Sequence, residues 1–268
     1  MNENIISEIT NQYDYQLLTK TIVEFITKEI EKKQSNGVIL GLSGGIDSAV
    51  LAYLCKQSLK EKTLALIMPD TAITPSSETE DALKMISLTG IEYKLIDIKP
   101  IVNEYAMYIE PNEKARGNLR ARIRTNILYY YANTKNYLVL GSSDKSEYLI
   151  GYFTKFGDGA SDMTPIVSLY KLQVREIAKH LGVPEKVITK KSSPHLWKEH
   201  EAEEELGTTY EEVDSILYCL IDKKMTIEQT EKETQIEREK IEKILKLNQN
   251  SQHKRQGPQQ PDIRDCIK

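Results

Sequence analysis

The sequence predicts an open, mostly parallel, doubly wound α/β sheet flanked by helices. Two observations predict it. Short apolar runs at residues 38–40, 63–68, 93–98 and 137–140 alternate with longer stretches of helical spacing. The run 63–68 is nearly all apolar, as a parallel strand covered on both faces must be. A chain of 268 residues suits one such domain with ample core, and neither a linker nor an internal repeat divides it.

Residues 15–32 open the pattern. Leu17, Leu18, Ile22, Val23, Phe25, Ile26 and Ile30 recur at helical spacing opposite a polar face, so this is a cover helix for the sheet or a subunit contact. Residues 38–40 are the first strand, and a glycine-rich turn leads from it into a helix running to about residue 59. The second strand, 63–68, ends at Pro69-Asp70. A loop follows, and Ser77 with Glu80 predicts a capping box for a helix to about residue 88. Residues 93–98 are the third strand, and 99–109 a helix with Pro100 at its start. Helix 114–132 carries an apolar face at Leu119, Ile123 and Ile127. Residues 137–140 are the fourth strand. The segment 151–162, rich in glycine and aromatic residues, reads as a functional loop. Lys171 opens an amphipathic helix that Gly182 caps and Pro184 stops. Residues 190–207 are strongly charged and hold the only tryptophan, Trp197. They are either a flexible exposed loop or a lid over the site. Helices are expected at 210–220 and, unbroken, at 226–248, before a polar tail.

The turn after the first strand reads Gly41-Leu42-Ser43-Gly44-Gly45-Ile46-Asp47-Ser48. Its glycines allow a tight turn and bring bare backbone close to a ligand. The following helix aims its unpaired N–H groups and the positive end of its dipole at the same spot, which suits phosphate. Ser43 and Ser48 add hydroxyl donors, and Asp47 can hold a metal ion that rides on the phosphates. Neither the lysine of a Walker loop nor the third glycine of a dinucleotide fingerprint follows. The fourth strand ends in Gly141-Ser142-Ser143-Asp144-Lys145-Ser146-Glu147. Ligands of open α/β sheets sit beyond the carboxyl ends of the strands, so Asp47 and Glu147 are expected to converge there on Mg²⁺. Arg116, Arg120, Arg122 and Arg124 are either a solvated face or a grip on phosphate or carboxylate.

The composition is 40% hydrophobic and 28% charged with a formal net charge of -4, a globular balance that does not call for nucleic acid as a partner. Residues 1–10 show no secretory pattern, and no apolar run is long enough to span a membrane. The three cysteines, Cys55, Cys219 and Cys266, are too scattered for a disulfide framework or a zinc site. A reducing cytoplasm is the expected location.

Ser43-Gly44-Gly45-Ile46-Asp47-Ser48 resembles the pyrophosphate loop of the N-type ATP pyrophosphatases, which cut ATP between its α and β phosphates. Three further motifs are more specific. They are Gly117-Asn118-Leu119-Arg120-Ala121-Arg122-Ile123-Arg124, Gly151-Tyr152-Phe153-Thr154-Lys155-Phe156-Gly157-Asp158-Gly159 and His253-Lys254-Arg255-Gln256. With them, nearly the whole chain resembles the ammonia-dependent NAD synthetases. The resemblance implies a Rossmann-like, adenine-nucleotide alpha-hydrolase-like fold in a single domain, without a glutaminase domain. It implies a cytoplasmic homodimer that uses ATP, deamido-NAD and ammonia with Mg²⁺. By position, Gly41, Leu42, Ser43, Gly44, Gly45, Ile46, Asp47, Ser48, Ser142, Lys171 and Ser193 would contact ATP. Asp47 and Glu147 would bind Mg²⁺. Arg122, Lys155, Asp162, His253 and Lys254 would contact deamido-NAD, and Asp47, Lys155 and Lys171 would be the catalytic residues. The dinucleotide would lie at a two-fold interface, with the cover helices as candidates for the contact. Thr125, Ala160 and Ala202 stand where that family usually has methionine, glycine and a carboxylate; Ser142 and Ser193 stand for threonines. The competing readings are another adenylating pyrophosphatase such as the synthetase half of GMP synthetase, a tRNA-modifying relative, and a non-catalytic nucleotide sensor. None of them calls for all of these motifs.

Overall fold

The structure, a computed structural model, describes residues 3–193, 195–197 and 201–264. Strands β1 (Gly37–Gly41), β2 (Thr63–Ile67), β3 (Glu92–Leu95) and β4 (Tyr137–Leu140) form one sheet in the order β3-β2-β1-β4, with every pair parallel. Alternate residues face opposite cores. Val38, Leu40, Ala65 and Ile67 pack on one side, and Ile39, Leu64 and Leu66 on the other, the period of two that a strand imposes.

Helices α1 (Glu3–Thr10) and α2 (Tyr15–Lys32) precede the sheet. Asp14 caps α2 by accepting the N–H groups of Gln16 and Leu17. Its buried stripe of Thr19, Ile22, Ile26 and Ile30 lies on the same core as α3 (Ile46–Ser58) and α4 (Ser76–Thr89). The opposite face is covered by α5 (Lys99–Ala106) and α6 (Glu113–Lys135), which add Val102, Ile123 and Ala132. The chain thus steps outward from β1 to β3 and then crosses the other face to β4, on the far side of β1. The strand order reverses between β1 and β4, and the crevice beyond their carboxyl ends is where such sheets bind ligands.

Helices α7 (Lys145–Ile150), α8 (Lys171–Leu181), α9 (Glu185–Ile188), α10 (Ala202–Leu206), α11 (Tyr210–Leu217), α12 (Ile227–Thr234), α13 (Arg238–Asn250) and α14 (Gln252–Arg255) complete the described residues. Ile150, Leu206, Val213, Ile216, Ile241 and Ile244 build a second core with α1.

Four elements differ from the sequence expectation. Helix α1 was not foreseen; Ile5 and Ile9, one turn apart, are fully buried and each contributes about 1.5–3 kcal/mol. The Ser77 capping box is absent, because α4 starts two residues earlier behind Pro75, whose φ of −59° already sets the chain for helix entry. Helix α5 stops at Ala106 and leaves Met107, Tyr108 and Ile109 exposed. The single helix expected at 226–248 is broken at Gln235, which turns left-handed at φ +57° and lets the buried Ile236 fold α13 back on α12. Among the described residues, no helix is long and apolar enough to cross a membrane. Cys55 and Cys219 are buried free thiols; Cys266 lies outside the described residues.

Candidate active site

The phosphate loop keeps its helix end open. Leu42 prolongs β1 by donating its N–H to Leu66 O at 2.9 Å. The chain then turns at Gly44, with φ +88°, where a Cβ would lie 2.4 Å from the Glu78 carbonyl oxygen. Only glycine satisfies both conditions. Gly45 is the N-cap of α3, and no side chain caps that helix, so its first N–H groups remain for a ligand. The serines brace the loop instead. Ser43 Oγ and Ser48 Oγ are 3.1 Å apart, Gly45 N–H donates to Ser43 Oγ at 3.2 Å, and Ser48 Oγ donates to Gly45 O at 3.0 Å.

A lysine joins this loop to the end of β4. Lys171, the first residue of α8, is fully buried. Its Nζ lies 2.7 Å from Asp47 Oδ2, 2.8 Å from Asp144 Oδ2 and 3.0 Å from Glu147 Oε1. Burial works against an ammonium, but the three carboxylates outweigh it and hold Lys171 protonated well above the usual lysine range. Burial acts in the other direction on the acids. It pushes Glu147 up to about 8 and raises Asp144, against the pull of Lys171. Behind the lysine, the buried Asp214 accepts the Leu172 N–H at 2.8 Å and the Ser146 hydroxyl, while Ser146 Oγ accepts the Lys171 N–H at 3.0 Å. The start of α8 is thereby fixed.

Asp144 is a site residue that the sequence reading missed. It caps α7, with Oδ1 accepting the Glu147 N–H at 2.8 Å. The signal was the Asp-x-x-Glu pattern at the end of β4, which marks a helix start as readily as a binding site. The donor set suits a hard cation such as Mg²⁺. Asp47, Asp144 and Glu147 each offer one oxygen, all within 4.8 Å of one another. Asp47 Oδ1 is buried with no hydrogen-bond partner.

These groups open on a cavity of about 630 Å³, a size typical of ligand sites. Gly41, Leu42, Ser43, Gly45, Ile46, Asp47 and Ser48 line it, as do Ser142, Glu147, Ser193 and Lys254. Gly44 and Lys171 stand just behind this wall. Leu66, Met68, Thr125 and Leu128 make an apolar slot at the sheet end. Arg124 reaches into it, its Nε donating to Met68 O at 2.9 Å, and burial lowers its guanidinium to about 10. The arginine cluster therefore divides. Arg124 lines the cavity, Arg122 faces outward, and Arg120 makes a buried 2.7 Å pair with Asp70. Ser142, Thr125, Ala160, Ser193 and Ala202, the five departures noted in the sequence, all line this one cavity.

The described part of 190–207 is docked as a lid. Leu196 and Trp197 pack against Gly117 of α6. Arg120 Nη1 donates to Leu196 O at 3.0 Å. Lys190 Nζ sits 3.1 Å from both Glu78 carboxylate oxygens and also pairs with Asp81. Ala202 is buried in the wall, whereas Glu203 turns to the start of α11, its Oε1 accepting the Tyr210 N–H at 3.0 Å.

Arg122, Lys155, Asp162 and His253 do not line the cavity. Arg122 Nη2 donates to Lys155 O at 3.1 Å, and Lys155 Nζ donates to His253 O at 2.7 Å, which gathers these three on the outer surface. The Asp162 carboxylate accepts the Val139 N–H at 2.8 Å and is occupied in extending the sheet edge, where Met163 bridges to Leu140. Lys254 Nζ donates to Gly151 O and Phe153 O at 2.7 and 2.8 Å and so ties α14 to the glycine-rich loop. Gly151, with φ +70°, leaves room for Ser251, whose Cβ would otherwise lie 2.1 Å from a Cβ there.

The arrangement has known counterparts. The NH(3)-dependent NAD(+) synthetase of Hyperthermus butylicus is 50% identical over 252 residues, covering 93% of this chain and 91% of its own. Among solved structures, the NMN synthetase of Francisella tularensis superposes with a TM-score of 0.83 at 32% identity, covering 93% of this chain and 99% of that one. The NH3-dependent NAD synthetase of Campylobacter jejuni, in complex with the nitrate ion, gives a TM-score of 0.80 at 34% identity, covering 93% and 100%. The model of the NAD synthase family matches residues 18–258, from α2 through the phosphate loop and the lid to the polar tail, and the chain belongs to that family.

Proposed function

We propose that the chain is a ligase that adenylates the nicotinate carboxylate of deamido-NAD with ATP and amidates it with ammonia, giving NAD, AMP and pyrophosphate. The observation that carries this reading is the convergence of an uncapped helix end, a buried lysine and three carboxylates on one cavity. A carboxylate oxygen attacks the α-phosphorus, and the bond to the bridging oxygen breaks as pyrophosphate leaves. Ammonia then attacks the activated carbonyl, AMP departs with the carbon–oxygen pair, and the nitrogen releases its extra proton. The open N–H groups of α3 hold the pyrophosphate, and Lys171 offsets its charge from behind the carboxylates. Asp47 and Glu147, with Asp144, would hold Mg²⁺. When bound, that ion supplies charge neutralisation on the phosphates. The lid keeps water from the activated carboxylate, with Leu196 and Trp197 seated on α6. Free ammonia is the proposed nitrogen source and the cytoplasm the proposed location. Purified protein with ATP, Mg²⁺, ammonium and deamido-NAD is expected to form NAD and AMP in equal amounts. AMP without NAD would refute the acceptor, and the mononucleotide acid, offered in parallel, tests the shorter substrate.

The dinucleotide is proposed to lie against Arg122, Lys155 and His253, between two copies of the chain. Several features support a second copy on this side. Arg122, Asn126 and Tyr130 recur every four residues along α6, on one helical face. Ile101, Tyr105, Ile123, Asn126, Ile127 and Tyr130 line an open groove of about 280 Å³ between α5 and α6. Exposed Met107, Tyr108 and Ile109 continue the apolar surface. This favours α5 and α6 over the cover helix α2 as the contact. Tyr130→Glu is expected to convert a dimer to a monomer in light scattering; a dimer of unchanged stability would move the interface elsewhere. Lys155→Ala is expected to raise KM for deamido-NAD about tenfold while KM for ATP stays within about twofold. Unchanged kinetics with deamido-NAD would remove this lysine from the site.

A further inference from the structure

Tyr210 opens α11 and is buried, with one edge on the cavity. A buried tyrosine needs a partner for its hydroxyl. The partner here is Glu147, whose Oε1 accepts the Tyr210 O–H at 3.3 Å. The ring belongs to the same cluster, its centroid 5.0 Å from Lys171 Nζ, and an aromatic face attracts an ammonium. Contacts on either side hold the residue in place. Glu203, from α10, accepts the Tyr210 N–H at 3.0 Å. One turn further along α11, Asp214 accepts the Leu172 N–H and the Ser146 hydroxyl. Residues four apart share a helix face, so α11 presents Tyr210 and Asp214 together to the starts of α7 and α8.

Which oxygen the hydroxyl meets is the informative detail. Glu147 Oε1 accepts from Lys171 Nζ at 3.0 Å as well as from Tyr210. Among the described residues, no donor reaches the other oxygen, Oε2. Asp47 is divided in the same way. Lys171 takes its Oδ2 at 2.7 Å, and its Oδ1 is buried without a partner. Each carboxylate thus spends one oxygen on protein donors and keeps the other. A cation that rides on phosphates takes one or two carboxylates of this kind. Lys171 alone fixes Glu147 poorly, because its ammonium is shared among three acids. The last torsion of a glutamate is broad, so a carboxylate on one donor can turn and exchange its oxygens. A second donor on the same oxygen stops that rotation.

We infer that Tyr210 is a positioning residue whose hydroxyl, together with Lys171, pins Glu147 by Oε1 and so presents Oε2 to the divalent cation that accompanies the nucleotide. This rests on the reading of Glu147 as a cation ligand.

The test uses Tyr210→Phe, Glu147→Gln and the double variant. Each is titrated by calorimetry with α,β-methylene-ATP, which cannot be cut between its α and β phosphorus atoms, in Mg²⁺ and again in EDTA. Phenylalanine keeps the ring beside Lys171 and the packing of α11, so Tm should fall by no more than about 4 °C. In Mg²⁺, Tyr210→Phe is expected to weaken binding about tenfold, the size of effect seen when a group behind a metal ligand is removed. In EDTA its binding should match that of the unaltered chain. The double variant should be no weaker than Glu147→Gln. Equal weakening of Tyr210→Phe in both media would make the hydroxyl a packing group and overturn the inference. Additive losses in the double variant overturn it too, since the hydroxyl would then act apart from Glu147. A loss in Glu147→Gln without one in Tyr210→Phe overturns the positioning role alone. No loss in Glu147→Gln, or no gain from Mg²⁺ in the unaltered chain, overturns the cation reading and this role with it.

Discussion

Lys171→Met is expected to lower kcat by about 10²–10³-fold and to destabilise the chain as well. The two effects share one cause. The ammonium neutralises Asp47, Asp144 and Glu147 from within 3.0 Å, and its loss leaves buried carboxylates unpaired, at a cost of about 3–5 kcal/mol. The pH dependence has a definite sign. Glu147 is raised by burial to about 8 in the folded chain, above its unfolded value. Its contribution to stability is therefore fully present below the unfolded value and is lost as pH rises toward 8. Without Lys171, Glu147 and Asp144 hold their protons more tightly still, so the variant should melt at a higher temperature at pH 5 than at pH 8. Asp47→Ala separates the effects, since it should abolish turnover with the fold intact. Retention of more than about a tenth of kcat in Lys171→Met would take the lysine out of the chemistry.

Arg120→Met should give the largest stability loss away from the reacting groups. Arg120 and Asp70 are both buried, 2.7 Å apart. Breaking such a pair costs about 3–5 kcal/mol because the partner is left charged and dry. For a chain of this size that lowers Tm by roughly 10 °C. The same guanidinium holds the lid through Leu196 O, so the variant should also hydrolyse more ATP to AMP without forming NAD. Arg120→Met combined with Asp70→Leu should recover much of the melting temperature and none of the lid contact. A single variant melting within about 2 °C of the unaltered chain would show that the pair is not holding α6 to the end of β2.

The centre of the site was legible because its chemistry is local. One strand, one turn and one helix start carry the phosphate loop, and Gly44 and Gly45 announce it in adjacent letters. The parallel sheet was legible for the same reason, since β2 shows its burial in every residue. What the sequence hid is relational. Asp144 looks like a helix cap until Lys171, 27 residues on, is seen against it. Glu78 and Arg124 are ordinary helix charges until α4 and α6 bring them to the cavity. Gln235 has no glycine to mark it, so the break between α12 and α13 reads as continuous helix. Arg122, Lys155 and His253 could be grouped only by resemblance, because no spacing joins them.

The wall of the cavity begins at Gly41 and is closed by Ser251 and Lys254. During synthesis the phosphate loop therefore emerges long before the chamber it serves. A chain halted before α14 lacks the tie that Lys254 makes to Gly151 O and Phe153 O, whatever the state of its sheet. Nucleotide binding should consequently appear late, and together with the last refolding phase, so that bound ATP marks a finished molecule and a nascent one does not sequester it.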